Sequence, residues 1–240
     1  MKEVVTPYGE ESGKKEQVEK MFNNISHRYD FLNQLLSLGI HHSWRKKAVK
    51  IFQEKRPEFI LDIATGTADF AIEALKSKPK KIIGIDISEG MLEFGRKKIR
   101  ERNLESVIEL KKGDAENMEF SEECFDVITV AFGVRNFEDL EKGLRNMHKV
   151  LKTGGDVIIL EFSKPKGLFR YVYNFYFRFI TPVIGKIFSK DNSAYSYLPA
   201  SVSAFPDREN FVRIMEKCGF KQSQYKSLTF GVASIYSGTK

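Results

Sequence analysis

Cysteine is scarce in this sequence of 240 residues, which contains only Cys124 and Cys218. Two cysteines so far apart exclude a disulfide framework, and the cysteines and histidines lack the spacing of a metal site. We therefore expect no bound metal, and a reduced, cytoplasmic compartment is the default expectation. Residues 1–20 are charged and contain no apolar run, so we expect no signal peptide.

Internal repeats, low-complexity tracts and Gly/Ser-rich linkers are also absent. We expect residues 1–13, which are polar, to be flexible, and residues 14–240 to form a single domain with a sizeable core. Hydrophobic residues make up 42% of the chain and charged residues 30%, which is typical of a soluble globular protein. The net charge of +7 favours anionic partners, but it does not choose between nucleic acid, acidic lipid and phosphorylated substrates.

Short apolar runs alternate with helical patterns through the centre of the sequence. The predicted strands cover residues 59–63, 81–86, 107–110, 125–130 and 156–162, and the predicted helices between them cover 68–76, 88–102 and 137–151. Such an alternation indicates a parallel sheet that is covered by helices on both faces. Helical periodicity over residues 14–54 predicts an N-terminal helical cap in front of this core.

The C-terminal part of the sequence has a different pattern. A predicted helix over residues 208–217 is followed by two strand-like runs, 220–228 and 232–237. These runs predict an antiparallel hairpin at the edge of the sheet. An α/β core closed by a hairpin is more typical of methyltransferases than of dehydrogenases.

Three aspartates follow the first three predicted strands, at the edge where open α/β sheets bind ligands. Asp62 precedes a turn of small residues that contains Gly66, Asp86 ends the second strand, and Asp114 follows the third. A carboxylate after the second strand can accept hydrogen bonds from ribose hydroxyls, and one after the third can accept a bond from an adenine amino group. Each aspartate alone is equally well explained as a helix cap, but the ordered set predicts a nucleoside cofactor.

A dinucleotide-dependent oxidoreductase is the alternative at this edge. Residues 66–71 form a degraded dinucleotide fingerprint, and Asp86 lies at nearly the expected distance from it. This alternative leaves Asp62 and the turn at residues 113–115 unexplained, and no catalytic histidine or Tyr-x-x-x-Lys pair accompanies it. A methylase of RNA or protein is supported only by the basic charge of the chain. A non-catalytic binding module is a further alternative.

Longer stretches resemble known methyltransferases. Residues 61–69 (LDIATGTAD) resemble the first motif of class I S-adenosylmethionine-dependent methyltransferases, and residues 113–116 (GDAE) resemble the third. Four further stretches are similar to the ubiquinone/menaquinone biosynthesis C-methyltransferases (UbiE/MenG): residues 22–30 with Trp44 and Arg45 after them, 131–136, 160–165 and 195–206. The first motif departs from the class pattern, because Ala64 and Ala68 stand where glycine is usual.

The resemblance implies a class I methyltransferase fold, with a mostly parallel seven-stranded sheet, helices on both faces and a C-terminal antiparallel hairpin. It also implies S-adenosyl-L-methionine as the cofactor and a ring carbon of a prenylated quinol as the methyl acceptor. Residues 66–69 resemble the menaquinone-only members of this family more closely, and this resemblance favours demethylmenaquinol over a ubiquinol precursor. The cofactor-binding residues that we expect are Asp62, Gly66, Thr67, Asp86, Asp114, Ala115 and Ala131.

Arg135 and Asn136, which follow the fourth predicted strand, are the predicted catalytic residues. An arginine there can stabilise the phenolate form of the quinol, and an asparagine can orient its ring. Arginine stays protonated and is a poor base, so a water molecule or a tyrosine would pass the proton. Tyr195 and Tyr197 are the tyrosines that we expect to bind the substrate.

Residues 164–205 are predicted to form a lid or acceptor insertion. Residues 168–180 are rich in aromatic side chains, but the cations that interrupt them argue against a transmembrane helix. An interfacial helix that receives an isoprenoid tail is one interpretation, and a buried core helix is the other. We expect peripheral contact with the inner face of the membrane and no nucleic acid partner. The sequence does not fix the oligomeric state, and a homodimer stays open.

Overall fold

The structure, a computed structural model, describes residues 5–165, 167, 170–171 and 193–240. Seven strands of the described residues form one sheet in the order β3-β2-β1-β4-β5-β7-β6. The strands are β1 (Phe59–Ile63), β2 (Lys81–Asp86), β3 (Ile108–Lys112), β4 (Phe125–Ala131), β5 (Leu151–Phe162), β6 (Lys221–Leu228) and β7 (Ala233–Thr239). Strands β1 to β5 pair in parallel, and β7 is antiparallel to both β5 and β6. The predicted fold class is confirmed.

Helices surround this sheet. In the described residues they are α1 (Lys14–Ile25), α2 (Tyr29–Ser37), α3 (Ile40–Phe52), α4 (Asp69–Ala74), α5 (Glu89–Glu101), α6 (Leu140–Val150), α7 (Ser193–Ala204) and α8 (Glu209–Lys217). Ser88 caps α5 by accepting a hydrogen bond from the Met91 amide, and Asp139 caps α6 by accepting one from the Lys142 amide. These caps place the start of each helix directly after the loop that follows a strand.

Side chains of β5 alternate between the two faces of the sheet and so divide the core. Ile158 and Leu160 pack with α3, α4 and α5 on one face. Val157 and Ile159 pack with α6 and α8 on the other face. A strand that is apolar on both faces is therefore covered by helices on both faces, as the continuous apolar run in its sequence predicts.

One local prediction was wrong. The fifth strand was predicted to begin at residue 156, but β5 begins at Leu151, which pairs with Phe125, and the register then shifts before Val127. The turn between α2 and α3 is made at Gly39, whose φ of 77° is readily adopted by glycine.

The aromatic segment at residues 168–180 lies mostly outside the described residues. Between residues 164 and 192 of the predicted lid, the structure describes only residues 164, 165, 167, 170 and 171. In the parts of the chain that the structure covers, no helix has the length and apolar character needed to span a bilayer. The bounds that we predicted for the N-terminal cap and for the insertion stay predictions.

Candidate functional site

A cleft opens at the carboxyl ends of β1, β2, β3 and β4. Its empty volume, with the open solvent at its mouth included, is about 650 Å³. Five of the predicted cofactor residues line the cleft, together with Asn136 from the predicted acceptor side: Gly66, Asp86, Asp114, Ala115 and Ala131. The cleft therefore brings the predicted donor and acceptor residues together.

Asp86 is buried at the end of β2 and holds the loop that follows β1. Its Oδ2 atom accepts a hydrogen bond of 2.8 Å from the Gly66 amide, and its Oδ1 atom accepts one of 2.9 Å from the Ser88 amide. Burial raises the pKa of this carboxyl to about 6. A carboxylate has about four acceptor positions, so two backbone bonds leave capacity for the two hydroxyls of a ribose.

Asp114 lies at the other end of the cleft, after β3. Its Oδ1 atom accepts a hydrogen bond of 2.9 Å from the Glu116 amide, and its Oδ2 atom lies 2.7 Å from Lys15 Nζ on α1. The carboxylate thus faces the cleft from a turn that is fixed by its own side chain. An adenine amino group that donates to Asp114 would share this carboxylate with Lys15.

The loop after β1 keeps a glycine-like backbone at two alanines. Ala64 has a φ of 52° and Ala68 a φ of 66°, while Gly66 between them has a φ of 56°. A left-handed conformation costs an alanine roughly 1–2 kcal/mol, whereas glycine adopts it freely. The departure from the class pattern therefore changes the side chains of this loop and leaves its backbone path intact.

A side cavity adjoins the cleft, with an empty volume of about 300 Å³. It shares Tyr29, Ala64, Gly66 and Ala131 with the cleft, and its other lining residues are Arg45, Asp62, Thr65, Thr67, Asp69 and Phe70. The structure therefore places the predicted cofactor residues Asp62 and Thr67 in the side cavity.

The polar groups of Asp62 and Thr67 have partners within the protein. Asp62 accepts bonds of 2.6 Å from the hydroxyls of Thr65 and Thr129, and burial raises its pKa to about 6. The Thr67 hydroxyl donates to Asp30 Oδ1 at 2.6 Å. Asp62 keeps further acceptor positions, whereas the Thr67 proton is already used.

The two predicted catalytic residues occupy different places. Asn136 lines the cleft, and its Oδ1 atom accepts a bond of 3.1 Å from the Tyr197 hydroxyl. Arg135 is buried behind it and does not line the cleft; its Nη1 atom lies 2.8 Å from Glu161 Oε1 and also donates to the Phe132 carbonyl. Its guanidinium carbon lies 5.4 Å from the centre of the Phe162 ring.

The predicted substrate tyrosines lie on α7. Burial raises the pKa of Tyr197 to about 12, so its hydroxyl is protonated near neutral pH and can donate its proton to Asn136. Tyr195 belongs to the same helix, but its side chain lies outside what the structure describes.

The sequence patterns did not predict that α1 and the start of α2 contribute to the cleft. Four of their side chains line the cleft: Lys15, Val18, Phe22 and Tyr29. Lys14 Nζ donates to the carbonyls of Arg135 and Phe137, and Asn23 Oδ1 accepts bonds from the Ser88 hydroxyl and the Gly90 amide. The family-like stretch at residues 22–30 was the available signal, because it contains the cleft residues Phe22 and Tyr29.

Comparison with known proteins agrees with this geometry. The sequence profile of the ubiE/COQ5 methyltransferase family matches residues 10–240. A demethylmenaquinone methyltransferase from Bacteroides fragilis is 47% identical over 99% of this chain and 98% of its own length. A ubiquinone/menaquinone biosynthesis C-methyltransferase UbiE from Geotalea daltonii is 46% identical over 95% of this chain and 97% of its own.

A solved structure supports the fold independently. A methyltransferase from Thermotoga maritima, described as S-adenosylmethionine-dependent, superposes with a TM-score of 0.62 at 22% identity and covers 92% of this chain and 99% of its own. That identity supports the fold alone, whereas the family profile spans nearly the whole chain. The chain therefore belongs to the ubiE/COQ5 family of S-adenosylmethionine-dependent methyltransferases.

Proposed function

We propose that this protein transfers a methyl group from S-adenosylmethionine to a ring carbon of demethylmenaquinol. The observation that carries this proposal is the position of Asn136, which lines the same cleft as Asp86 and Asp114. The relative from Bacteroides fragilis is named for demethylmenaquinone, and that name supports this acceptor. A ubiquinol precursor is the second candidate, because the relative from Geotalea daltonii is named for both quinones.

The residues of the cleft fit the cofactor. Asp86 retains acceptor positions for ribose hydroxyls, and Asp114 offers an oxygen to the adenine amino group. Gly66 has no Cβ, so the backbone of the loop after β1 can approach the ligand closely. When bound, S-adenosylmethionine supplies an activated methyl group on a sulfonium, and the protein needs to align the acceptor carbon with it.

On the acceptor side, Asn136 and Arg135 have separate roles. Asn136 orients the ring by hydrogen bonding, and the bond from Tyr197 fixes the orientation of its amide group. Arg135 contributes a buried positive charge that favours the phenolate over the neutral quinol. Glu161 positions Arg135 and keeps its charge partly balanced. Because arginine stays protonated, the quinol proton leaves to water.

Replacing Arg135 by alanine tests this division of roles. We expect turnover of Arg135→Ala to fall by about 10²-fold, the size of effect typical of losing one preorganised electrostatic group, with nearly unchanged affinity for S-adenosylmethionine. Arg145→Ala is the matched control, since Arg145 lies on the exposed surface in an i,i+4 pair with Glu141. Turnover of Arg135→Ala equal to the parent at saturating quinol would remove Arg135 from the mechanism.

We also propose that the protein meets its prenylated substrate at an acidic membrane surface. Several side chains of residues 164–190 are cationic or aromatic, and Arg170 Cζ lies 5.4 Å from the centre of the exposed Tyr171 ring. Leu38, at the turn between α2 and α3, is 77% exposed. Cations near an anionic bilayer contribute on the order of 1 kcal/mol each, so a few of them give reversible attachment that salt weakens.

Vesicle sedimentation tests this attachment. We expect binding to acidic vesicles at low salt, weaker binding as salt rises, and further weakening when Arg170, Arg178 and Lys186 are replaced by glutamine. Methylation of a short-tailed, soluble quinol should stay largely unchanged in that variant. Equal binding to acidic and neutral vesicles at low salt would count against a membrane role.

A further inference from the structure

Arg45 on α3 is buried, with 7% of its side chain exposed, and part of its hydrogen-bonding capacity is not used within the protein. Its Nε and Nη1 atoms have no hydrogen-bond partner among the residues that the structure describes. Nη1 lies 3.1 Å from Asp69 Oδ2, but the two groups are not aligned for a hydrogen bond. Buried donors are nearly always satisfied, so an arginine with two open N–H groups indicates a missing acceptor.

The position of Arg45 limits what that acceptor is. Arg45 lines the side cavity, which shares Gly66 with the main cleft. The Gly66 amide is bonded to Asp86, the residue assigned to the ribose. The side cavity therefore lies beside the ribose position, and a ligand group that extends from the ribose can reach it. In S-adenosylmethionine the amino-acid part extends from the ribose through the sulfonium.

Charges in the side cavity suit an amino acid. Asp69 is shared between Arg45 and Lys98, whose Nζ lies 2.6 Å from Asp69 Oδ1, so it balances the Arg45 charge only in part. Asp62 is a buried carboxylate that retains acceptor positions beyond its bonds to two threonines. A carboxylate would pair with the Arg45 fork, and an ammonium would pair with Asp62.

We propose that Arg45 binds the α-carboxylate of S-adenosylmethionine in the side cavity and that Asp62, which lines the same cavity, binds the α-ammonium. The assignment rests on the cofactor part of the proposed function and does not depend on the identity of the quinol. It gives Arg45 a positioning role, because holding the amino-acid end fixes where the methyl group points into the cleft.

Adenosine ligands of different length test this assignment. S-Adenosylhomocysteine carries the amino acid, whereas 5′-methylthioadenosine lacks it. By calorimetry, we expect Arg45→Met to bind S-adenosylhomocysteine about 10- to 100-fold more weakly than the parent, the effect of losing charge-assisted bonds, and to bind 5′-methylthioadenosine within about twofold. Asp86→Asn should weaken both ligands, because both contain the ribose.

Two further variants complete the series. Arg45→Lys should recover part of the lost affinity, since it restores the charge without the planar fork. Lys46→Met is the matched control, because Lys46 is the next residue of α3 and is exposed, and it should bind both ligands as the parent does.

A comparison of two ligands on the parent protein tests the same assignment without requiring that a variant folds. Decarboxylated S-adenosylmethionine lacks only the carboxylate, and the parent should bind it at least about tenfold more weakly than S-adenosylmethionine. Equal affinity of the parent for S-adenosylmethionine and its decarboxylated form would overturn the proposal. Folded Arg45→Met that binds S-adenosylhomocysteine and 5′-methylthioadenosine with equally weakened affinity would also overturn it. Because no quinol is present, such a failure would leave the proposed methyl acceptor untouched, whereas a parent that binds no adenosine ligand would refute the cofactor site itself.

Discussion

The loops that follow β1 and β4 pack so closely that there is no room for a side chain at Gly133 beside that of Ala64. A Cβ atom added at Gly133 would lie 2.5 Å from the Ala64 Cβ atom and 3.1 Å from Val130 Cγ1. The φ of Gly133 is −106°, so an alanine would meet no backbone strain there. Gly133→Ala should therefore destabilise the protein mainly through the contact with the Ala64 Cβ atom.

The size of the effect follows from the crowding. Overpacking of a buried site by one methyl group costs roughly 1–3 kcal/mol. In an Ala64→Gly background the closest remaining atom is Val130 Cγ1, so most of that cost should disappear. Ala64→Gly alone should change stability by less than about 1 kcal/mol, because relief of the left-handed alanine offsets the greater chain entropy of glycine. The coupling between the two sites should then be about 1–2 kcal/mol.

Urea unfolding of the parent, both single variants and the double variant measures this coupling. The free energies of unfolding should not add, and the double variant should be more stable than Gly133→Ala alone. Additivity within about 0.5 kcal/mol would show that the two loops do not share this space and would refute the packing argument.

Three further predictions concern the cofactor edge. Asp86→Ala should lose about 1.5–3 kcal/mol of S-adenosylmethionine binding free energy, and unchanged affinity in calorimetry would refute the ribose assignment. Because burial raises the pKa values of Asp62 and Asp86 to about 6, protonation removes acceptors as the pH falls. The affinity for S-adenosylmethionine should therefore be highest near pH 8 and fall as the pH is lowered through 6. A constant affinity from pH 8 to pH 5 would contradict the raised pKa values. Ser88→Ala should cost about 1 kcal/mol of unfolding free energy by removing the α5 cap, and an unchanged urea midpoint would argue against it.

Periodicity and strand-end chemistry were sufficient to predict the sheet and most of the cleft. A continuous apolar run such as residues 125–130 predicts a strand of a sheet with helices on both faces, because only there are the side chains on both faces of the strand buried. Asp86 and Asp114 were predicted from their place after strands, and both line the cleft. The start of β5 was missed because Gly154 and its neighbours have the composition of a turn: Gly154 has a φ of 80°, and β5 pairs with β4 on either side of it, at Leu151 and from Asp156 onward, with a register shift between.

The roles of single polar groups depend on contacts that sequence spacing does not encode. Arg135 follows β4 as predicted, yet its guanidinium is held by Glu161, 26 residues away. Thr67 belongs to the first motif, but its hydroxyl bonds to Asp30 on α2. The N-terminal helices cover the cleft through lysines and aromatics whose pattern along the chain is that of an ordinary amphipathic helix.

Methyl transfer to a defined carbon tests the central proposal most directly. Purified protein would be incubated with reduced demethylmenaquinone and S-adenosylmethionine that carries a deuterated methyl group, and the extracted quinone would be fragmented by mass spectrometry. We predict that the label lies on the naphthoquinone ring carbon, with no label on oxygen, and that Arg145→Ala gives the same product. A labelled methyl ether, or no labelled quinone from protein that binds S-adenosylmethionine, would contradict ring C-methylation by this protein.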